Sequence, residues 1–281
     1  MFAIALALGC SACYGVSNFL GPQLVRRHTL ASVLVISQLA ALGVCVLYLV
    51  LAGGRSLPRA DVWVALLAGV GNAGGLIGFY KAAELGPLSV VAPIGALGAI
   101  VPVAWGIASG DSLRPVQVLG LALAMSGAVL AARRPAAGGE GVPDYPNPRL
   151  SAIWAAGSAV AFGVFLTALP LASAHGRAWA LFDARLGMVV LLVLWARREL
   201  PDLRPNRKVG LLALPGLLLV AGTLLYTAAT ARGQLSLVSV LGSLFPVFTV
   251  GLGVVALRER LSPTQAVGVV AALSGIVLIA L

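Results

Sequence analysis

A stretch near the middle of this chain recurs at its end with one constant spacing. Nine residues keep their identity 148 positions later (268 − 120 = 148); in the first copy they are Leu113, Pro115, Gln117, Gly120, Ala124, Ser126, Gly127, Val129 and Leu130. Two unrelated apolar segments do not hold one register over such a length. The chain is therefore predicted to contain two copies of one structural unit.

Composition places this unit in a membrane. Hydrophobic residues make up 60% of the chain and charged residues 10%, whereas a soluble domain carries about 25% charged residues. A membrane-spanning helix needs about 20 mainly apolar residues, because no water is present to satisfy its backbone. Ten segments meet that need, which predicts an all-α membrane protein with ten transmembrane helices: 2–22, 30–52, 62–82, 87–109, 115–132, 150–172, 178–196, 209–231, 235–257 and 263–281.

The two copies are predicted to be inverted relative to each other. Residues 1–132 hold five segments, residues 150–281 hold five more, and a polar linker, 133–149, joins them. Because five is odd, the second unit enters the membrane from the opposite side to the first, and a pseudo-twofold axis in the membrane plane relates the two. Such a pair can pack in two equivalent ways, each open to one side. This architecture predicts transport by alternating access.

The net charge of +10 indicates a membrane topology rather than nucleic-acid binding, because the basic residues lie in short connections beside helix ends. Of the 19 basic residues, 13 lie on the side reached after odd-numbered segments and six on the other. The positive-inside rule then places both termini outside the cytoplasm. Arginine outnumbers lysine, which indicates a bacterial source of high GC content and hence the plasma (inner) membrane.

Three parts of the chain carry a family pattern: 84–93 with Pro102 and 111–127, a second copy from Tyr226 to Gly275, and the helix-one stretch 14–19. They resemble the repeat of the EamA family of the drug/metabolite transporter superfamily. The resemblance implies a ten-helix exporter or exchanger of small metabolites, with a central cavity lined by helices one, three, four, six, eight and nine. Eukaryotic members place both termini in the cytosol, which opposes the charge count.

Polar side chains on the predicted helices are candidates for the cavity wall, because polar groups inside a membrane face protein or water. On helix eight, Thr223, Tyr226 and Thr227 share one face. The other polar candidates lie on helices one, three and nine: Tyr14, Ser17, Asn18, Asn72, Ser239 and Ser243. Alternatively, the serines and threonines bond carbonyls of their own helices and permit close helix contact.

Aromatic residues at equivalent repeat positions are a second set of candidates. Tyr14 aligns with Phe162 (162 − 14 = 148), Phe79 aligns with Tyr226 (226 − 79 = 147), and Phe165 lies on the face of Phe162. These rings and Trp105 can bind an apolar or aromatic part of a substrate by stacking or cation–π contact. The alternative is that they face lipid.

Arg185 is a charged residue that needs a specific explanation, because it falls inside a predicted membrane-spanning segment. A cation there costs at least about 2.5 kcal/mol if nothing accommodates it. The resemblance implies a basic residue here and in helix two, where this chain has Ser37 and Gln38 instead. Arg185 can bind a substrate carboxylate or join helices. It can also pair with Asp183 or extend towards the interface.

Four prolines interrupt predicted helices, each removing a backbone donor and freeing a carbonyl: Pro93, Pro102, Pro215 and Pro246. They are predicted either to gate the cavity or to act as static kinks.

The remaining patterns favour a transporter over an enzyme. An intramembrane enzyme needs clustered acids, histidines or a metal site, but His28 and His175 lie apart at helix ends. Cys10 and Cys13 have CxxC spacing without further ligands, so we expect helix packing and no metal or cofactor. No acid lies within helix one or six and no Walker motif is present, so we expect facilitated export or exchange.

The expected partners are a small-molecule substrate and the lipid bilayer, with the protein a monomer or homodimer. Hydroxyl and aromatic side chains suit small neutral or zwitterionic metabolites such as amino acids. A lipid flippase-like protein or a multidrug exporter of the same fold is the alternative.

Overall fold

A computed structural model gives the fold and describes residues 2–25, 27–54, 61–86, 91, 94–131, 147–197, 207–257 and 263–280. All regular secondary structure among these residues is helical. The α-helices are α1 (Phe2–Val25), α2 (Leu30–Leu51), α3 (Val62–Leu85), α4 (Ile100–Ala108), α5 (Pro115–Ala131), α6 (Pro148–Ala196), α7 (Arg207–Thr230), α8 (Leu235–Gly242), α9 (Phe245–Leu257) and α10 (Pro263–Ala280). A 3₁₀ turn, Leu97–Ala99, precedes α4.

Six of the helical stretches are long and apolar enough to cross a membrane: Phe2–Val25, Leu30–Leu51, Val62–Leu85, Arg149–Ala174, Gly176–Ala196 and Val209–Thr230. Three shorter apolar stretches are Ile94–Ala108, Pro115–Gly127 and Leu235–Thr249. The all-helical fold class is confirmed, and the count of ten membrane-spanning helices stays a prediction.

Polar side chains cap the starts of three helices. The Thr29 hydroxyl accepts a hydrogen bond from the Ser32 amide at 3.2 Å, ahead of α2. Asp61 accepts from the amides of Trp63 and Val64 ahead of α3, at 3.1 and 3.2 Å. Asn147 accepts from the Leu150 amide at 3.0 Å ahead of α6. Each cap satisfies donors that the helix itself leaves free, so these polar residues fix where an apolar helix begins.

Helix α6 contains two of the predicted segments, 150–172 and 178–196, joined without a loop. At about 1.5 Å per residue, its 49 residues would reach about 74 Å if straight, which is more than twice the thickness of a bilayer core. The backbone leaves helical geometry at Gly176, with φ −176° and ψ 79°. We call Arg149–Ala174 the first arm of α6 and Gly176–Ala196 its second arm.

The predicted segments 87–109 and 235–257 are not continuous helices. In the first, the 3₁₀ turn Leu97–Ala99 precedes α4. In the second, Ser243 and Leu244 separate α8 from α9. The repeat spacing carries Leu97 onto Leu244 (244 − 97 = 147). Both repeats therefore lose regular α-helix at the same position of the unit.

Contacts between the repeats are reciprocal. A side chain on Gly75 would collide with the ring of Phe162, and one on the equivalent Gly222 would collide with the ring of Tyr14 (222 − 75 = 147; 162 − 14 = 148). When residue i of one copy meets j of the other and j meets i in return, a twofold axis relates the copies. Two further exchanges follow the same rule: Gly69 with Ala184 and Gly216 with Ser37, then Gly15 with Phe245 and Gly163 with Gly98.

Large apolar side chains cover much of the outer surface. Leu51, Trp63, Ile153 and Val270 are each more than half exposed. A soluble monomer rarely exposes contiguous apolar surface of this extent, whereas lipid-facing helices require it. The outside of the bundle therefore has the chemistry of a multi-pass membrane protein.

Candidate functional site

A central cavity of about 530 Å³, its open mouth included, lies between the repeats. Helices α1, α3, α7, the first arm of α6 and the two irregular backbone regions contribute to its wall. The lining residues are Tyr14, Asn18, Asn72, Leu76, Gly95, Phe162, Phe165, Leu166, Leu219, Thr223, Gly242, Ser243 and Phe245.

The cavity lies where the twofold relation between the repeats would place its axis. Most of its lining residues form equivalent pairs at the repeat spacing of 147 or 148: Tyr14 with Phe162, Asn18 with Leu166, Asn72 with Leu219, Leu76 with Thr223, and Gly95 with Gly242. An off-axis cavity would not collect both members of so many pairs. Both repeats therefore build the same part of the wall.

The two sides of the cavity differ in chemistry although they are equivalent in sequence position. Helix α1 packs on α7, and together they contribute Tyr14, Asn18 and Thr223, which we call the polar wall. Helix α3 packs on α6. Their side, which we call the apolar wall, carries Phe162, Phe165, Leu76 and Leu166, with Asn72 as its polar member. Divergence of the two repeats has thus given the cavity one polar side and one apolar side.

Phe79 supports the apolar wall from behind. Its side chain is fully buried, and its ring centroid lies 6.4 Å from that of Phe162 and 6.3 Å from that of Phe245. The rings meet in tilted and edge-on arrangements, which aromatic pairs prefer. Phe79, a predicted substrate contact, therefore holds two cavity rings in position and does not itself line the cavity.

Asn18 presents an unsatisfied polar group to the cavity. The side chain is 6% exposed, and its Oδ1 has no hydrogen-bond partner among the residues that the structure describes. A buried carboxamide oxygen in a protein is nearly always bonded to protein, water or ligand. A molecule inside the cavity can supply the hydrogen-bond donor that Asn18 Oδ1 lacks.

Arg185 lies behind the polar wall on the second arm of α6. It is 4% exposed, its Nη1 donates to Gln38 Oε1, and its Nη2 lies 3.5 Å from Thr223 Oγ1. Tyr14 and Thr223 are joined in turn, with their hydroxyl oxygens 3.2 Å apart. A chain of polar contacts therefore runs from the buried guanidinium to the cavity surface.

Four other predicted contacts serve packing between or within helices. The Tyr226 hydroxyl donates to the Leu166 carbonyl at 2.7 Å and lies 2.7 Å from Ser239 Oγ. Ser17 donates to the Pro215 carbonyl at 3.0 Å, which joins α1 to α7, and Thr227 donates to the Leu224 carbonyl of its own helix at 3.1 Å. None of these four predicted side chains, those of Tyr226, Ser239, Ser17 and Thr227, is among the cavity residues.

Trp105 and the predicted gating prolines also lie away from the lining. Trp105 is 47% exposed on α4. Pro102, Pro215 and Pro246 are buried within α4, α7 and α9, and Pro93 lies outside the described residues. Pro246 is the one beside the cavity, since Ser243 and Phe245 immediately before it are lining residues.

Sequence reasoning missed the leucine and glycine members of the wall, because polarity and aromaticity were its criteria, and it also missed the aromatic Phe245. A usable signal was nevertheless present. Leu166, Leu219, Leu76 and Gly242 are the repeat equivalents of Asn18, Asn72, Thr223 and Gly95. Carrying each polar candidate across the repeat would have found the leucines.

Comparison with known proteins identifies a family and a fold. A sequence model of the EamA-like transporter family matches residues 1–133 and 149–281. Among solved structures, 28 chains are similar. One of them, described as "Crystal structure of protein", has 20% sequence identity and a TM-score of 0.77, and the match covers 98% of this chain and 95% of that one. No curated protein matches the sequence.

Proposed function

The chain belongs to the EamA-like transporter family, and from that premise we propose that it carries small neutral or zwitterionic metabolites, amino acids among them, across the bacterial plasma membrane. The proposed process is export or exchange by alternating access, without ATP. The cavity shared by the two repeats carries this proposal. Its lining, mainly apolar and aromatic with a few polar side chains, has the composition of small-molecule sites.

Alternating access is supported by the reciprocal contacts between the repeats. We propose that residues 1–132 and 150–281 form two inverted five-helix units joined by 133–149. A cavity on a twofold axis can open to either side by the same movement of one unit against the other. The interrupted helices at Leu97–Ala99 and Ser243–Leu244 reach this cavity and offer places where half-helices can bend.

The proposal is tested by counterflow into proteoliposomes that hold the purified full chain. Labelled amino acids, polyamines and cationic drugs are supplied outside vesicles preloaded with the unlabelled compound. We expect accumulation of amino acids. Accumulation of the cationic drugs alone would instead identify a multidrug exporter, and movement of labelled phospholipid alone a flippase.

Asn18→Ala is expected to lower counterflow at least about tenfold, because loss of a hydrogen bond to a charged group costs about 1.5–3 kcal/mol. The midpoint of thermal unfolding should stay unchanged, since Asn18 Oδ1 bonds nothing in the described part of the chain. Thr167→Val is the matched control, because the Thr167 hydroxyl donates to the Gly163 carbonyl of its own helix at 2.9 Å. Normal counterflow in Asn18→Ala would remove Asn18 from the substrate path.

A further inference from the structure

Arg185 is a buried cation surrounded by neutral groups. Its polar contacts include the amide of Gln38, the hydroxyl of Thr223 and the Met188 sulfur, which lies 3.6 Å from Nη1. The ion pair between Lys81 and Glu84, at 3.0 Å, does not involve Arg185. A guanidinium removed from water and left without a counter-ion is costly to fold around. The site therefore favours any anion that can approach it.

The cavity is the route by which an anion can approach. Thr223 donates its only proton to the Leu219 carbonyl at 2.7 Å, so its oxygen accepts from both Arg185 and Tyr14. One hydroxyl group thus separates the guanidinium from the cavity. In surroundings of low dielectric constant, a charge at this distance acts strongly on whatever occupies the polar wall.

No charged group in the lining opposes this positive potential. All thirteen lining residues are uncharged, so the lining itself holds no carboxylate that could attract a cation. The apolar wall faces the same space with the rings of Phe162 and Phe165. The two walls together fit a molecule with an anionic end and an apolar end.

We propose that among small metabolites the cavity selects those with one carboxylate and an apolar body the size of a ring, zwitterionic ones included, and that Arg185 is the positioning residue for the carboxylate. This deepens the proposed function and rests on it. The carboxylate lies against the polar wall, where the Tyr14 hydroxyl turns from Thr223 to donate to it. The apolar body lies against Phe162 and Phe165.

The repeat equivalence separates this role from simple helix joining. Gln38 is the equivalent of Arg185 (185 − 38 = 147), and the two side chains bond each other where α2 meets the second arm of α6. A second amide at residue 185 would join these helices equally well and would bury no charge. The guanidinium adds a positive potential that helix packing does not need.

Isothermal titration calorimetry on the full chain in detergent tests the assignment with three probes of one shape: phenylpropanoate, its neutral amide and phenylpropylamine. We expect the acid to bind at least about tenfold more tightly than the amide, and the amine to bind most weakly. In Arg185→Gln, affinity for the acid should fall about tenfold while affinity for the amide changes less than about twofold. Arg185→Lys should restore part of the preference, and Thr167→Val should alter none of the affinities.

Equal affinities for acid and amide in the unmodified protein would overturn the inference, as would an equal loss of both in Arg185→Gln or failure of all three probes to bind. If Arg185→Gln does not fold, the double variant Tyr14→Phe, Thr223→Val keeps the charge and removes the connecting hydroxyls. It is expected to reduce the preference for the acid, and an unchanged preference would again count against the inference. Counterflow of the same acid tests transport separately. Binding without counterflow would contradict the proposed function and leave the role of Arg185 standing.

Discussion

Tyr226 shows at the scale of one residue how hydroxyl groups hold this bundle together. Its side chain is fully buried on α7. Because its hydroxyl proton goes to the Leu166 carbonyl, Ser239 on α8 donates to the Tyr226 oxygen. One phenol therefore joins three helices just beneath the cavity wall, where Leu166 is a lining residue.

Tyr226→Phe is expected to destabilise the protein by about 1–3 kcal/mol, because it leaves a buried carbonyl and a buried serine without this partner. Tyr226→Ala should cost roughly 3–5 kcal/mol, because it also creates a cavity. The measurement is the midpoint of thermal unfolding in detergent, with Tyr48→Phe as control, since the half-buried Tyr48 hydroxyl makes no hydrogen bond in the described part of the chain. A loss of counterflow in Tyr226→Phe at unchanged stability would instead place Tyr226 in contact with the substrate.

The sequence predicted which face of α7 these side chains lie on better than it predicted whether they reach the cavity. Thr223 and Tyr226 are three residues apart and share a helix face, so periodicity assigned both to the wall. Thr223 reaches the cavity, whereas Tyr226 lies one turn further on, where α6 and α8 close over it. Helical spacing predicts which face of a helix a side chain lies on. It does not predict at which level along the helix the neighbouring helices move apart to leave a cavity.

At the scale of elements, the interruption between α8 and α9 is the feature that the cavity depends on. Proline has no backbone N–H, so Pro246 cannot bond the Gly242 carbonyl four residues earlier, and its ring crowds that carbonyl. Gly242 and Ser243 line the cavity at this point. A continuous helix would remove the turn at Ser243 and Leu244 that separates α8 from α9.

Pro246→Ala is expected to restore this backbone bond and to favour one helix across 235–257. Because proline in the first turn of a helix costs little, we expect an unfolding midpoint close to that of the unmodified protein together with slower counterflow at saturating substrate. Pro115→Ala is the control, since Pro115 begins α5, where the missing donor has no intrahelical acceptor. Unchanged counterflow in Pro246→Ala would show that this proline plays no part in transport.

Hydropathy could predict where apolar segments lie but not where their backbone is interrupted. The equivalent of Pro246 in the first repeat is Ala99 (246 − 99 = 147), yet the 3₁₀ turn Leu97–Ala99 occurs there without a proline. Packing against the other repeat, where Gly98 meets Gly163, accompanies this irregular backbone. Tertiary contacts of this kind have no local sequence signal.

At the scale of the whole molecule, the internal repeat was the sequence observation that predicted most of the architecture. One constant spacing predicted two copies of a unit, and the family match to both halves of the chain confirms the two-repeat architecture. The same spacing explains the reciprocal glycine contacts. It could not predict which member of each equivalent pair is polar, because that difference arose after duplication.

Separate expression of the halves tests the reciprocal interface. Because Gly75 and Gly222 each pack on a ring from the other repeat, we expect neither 1–132 nor 150–281 to be stable alone. Coexpressed, the two pieces should purify together through a tag on one of them and should restore counterflow. Introducing Gly222→Leu should abolish copurification, because the added side chain would occupy the place of the Tyr14 ring. A half that folds and remains monomeric by itself would contradict this account.

The difference between the polar and apolar walls has a consequence for how a substrate crosses the protein. In a symmetric cavity a substrate could bind in either of two opposite orientations. In the binding mode proposed above, the carboxylate lies against α1 and α7 and the apolar body against α3 and α6. A substrate held in this way would keep one orientation relative to the two repeats, whichever side of the membrane the cavity opens to.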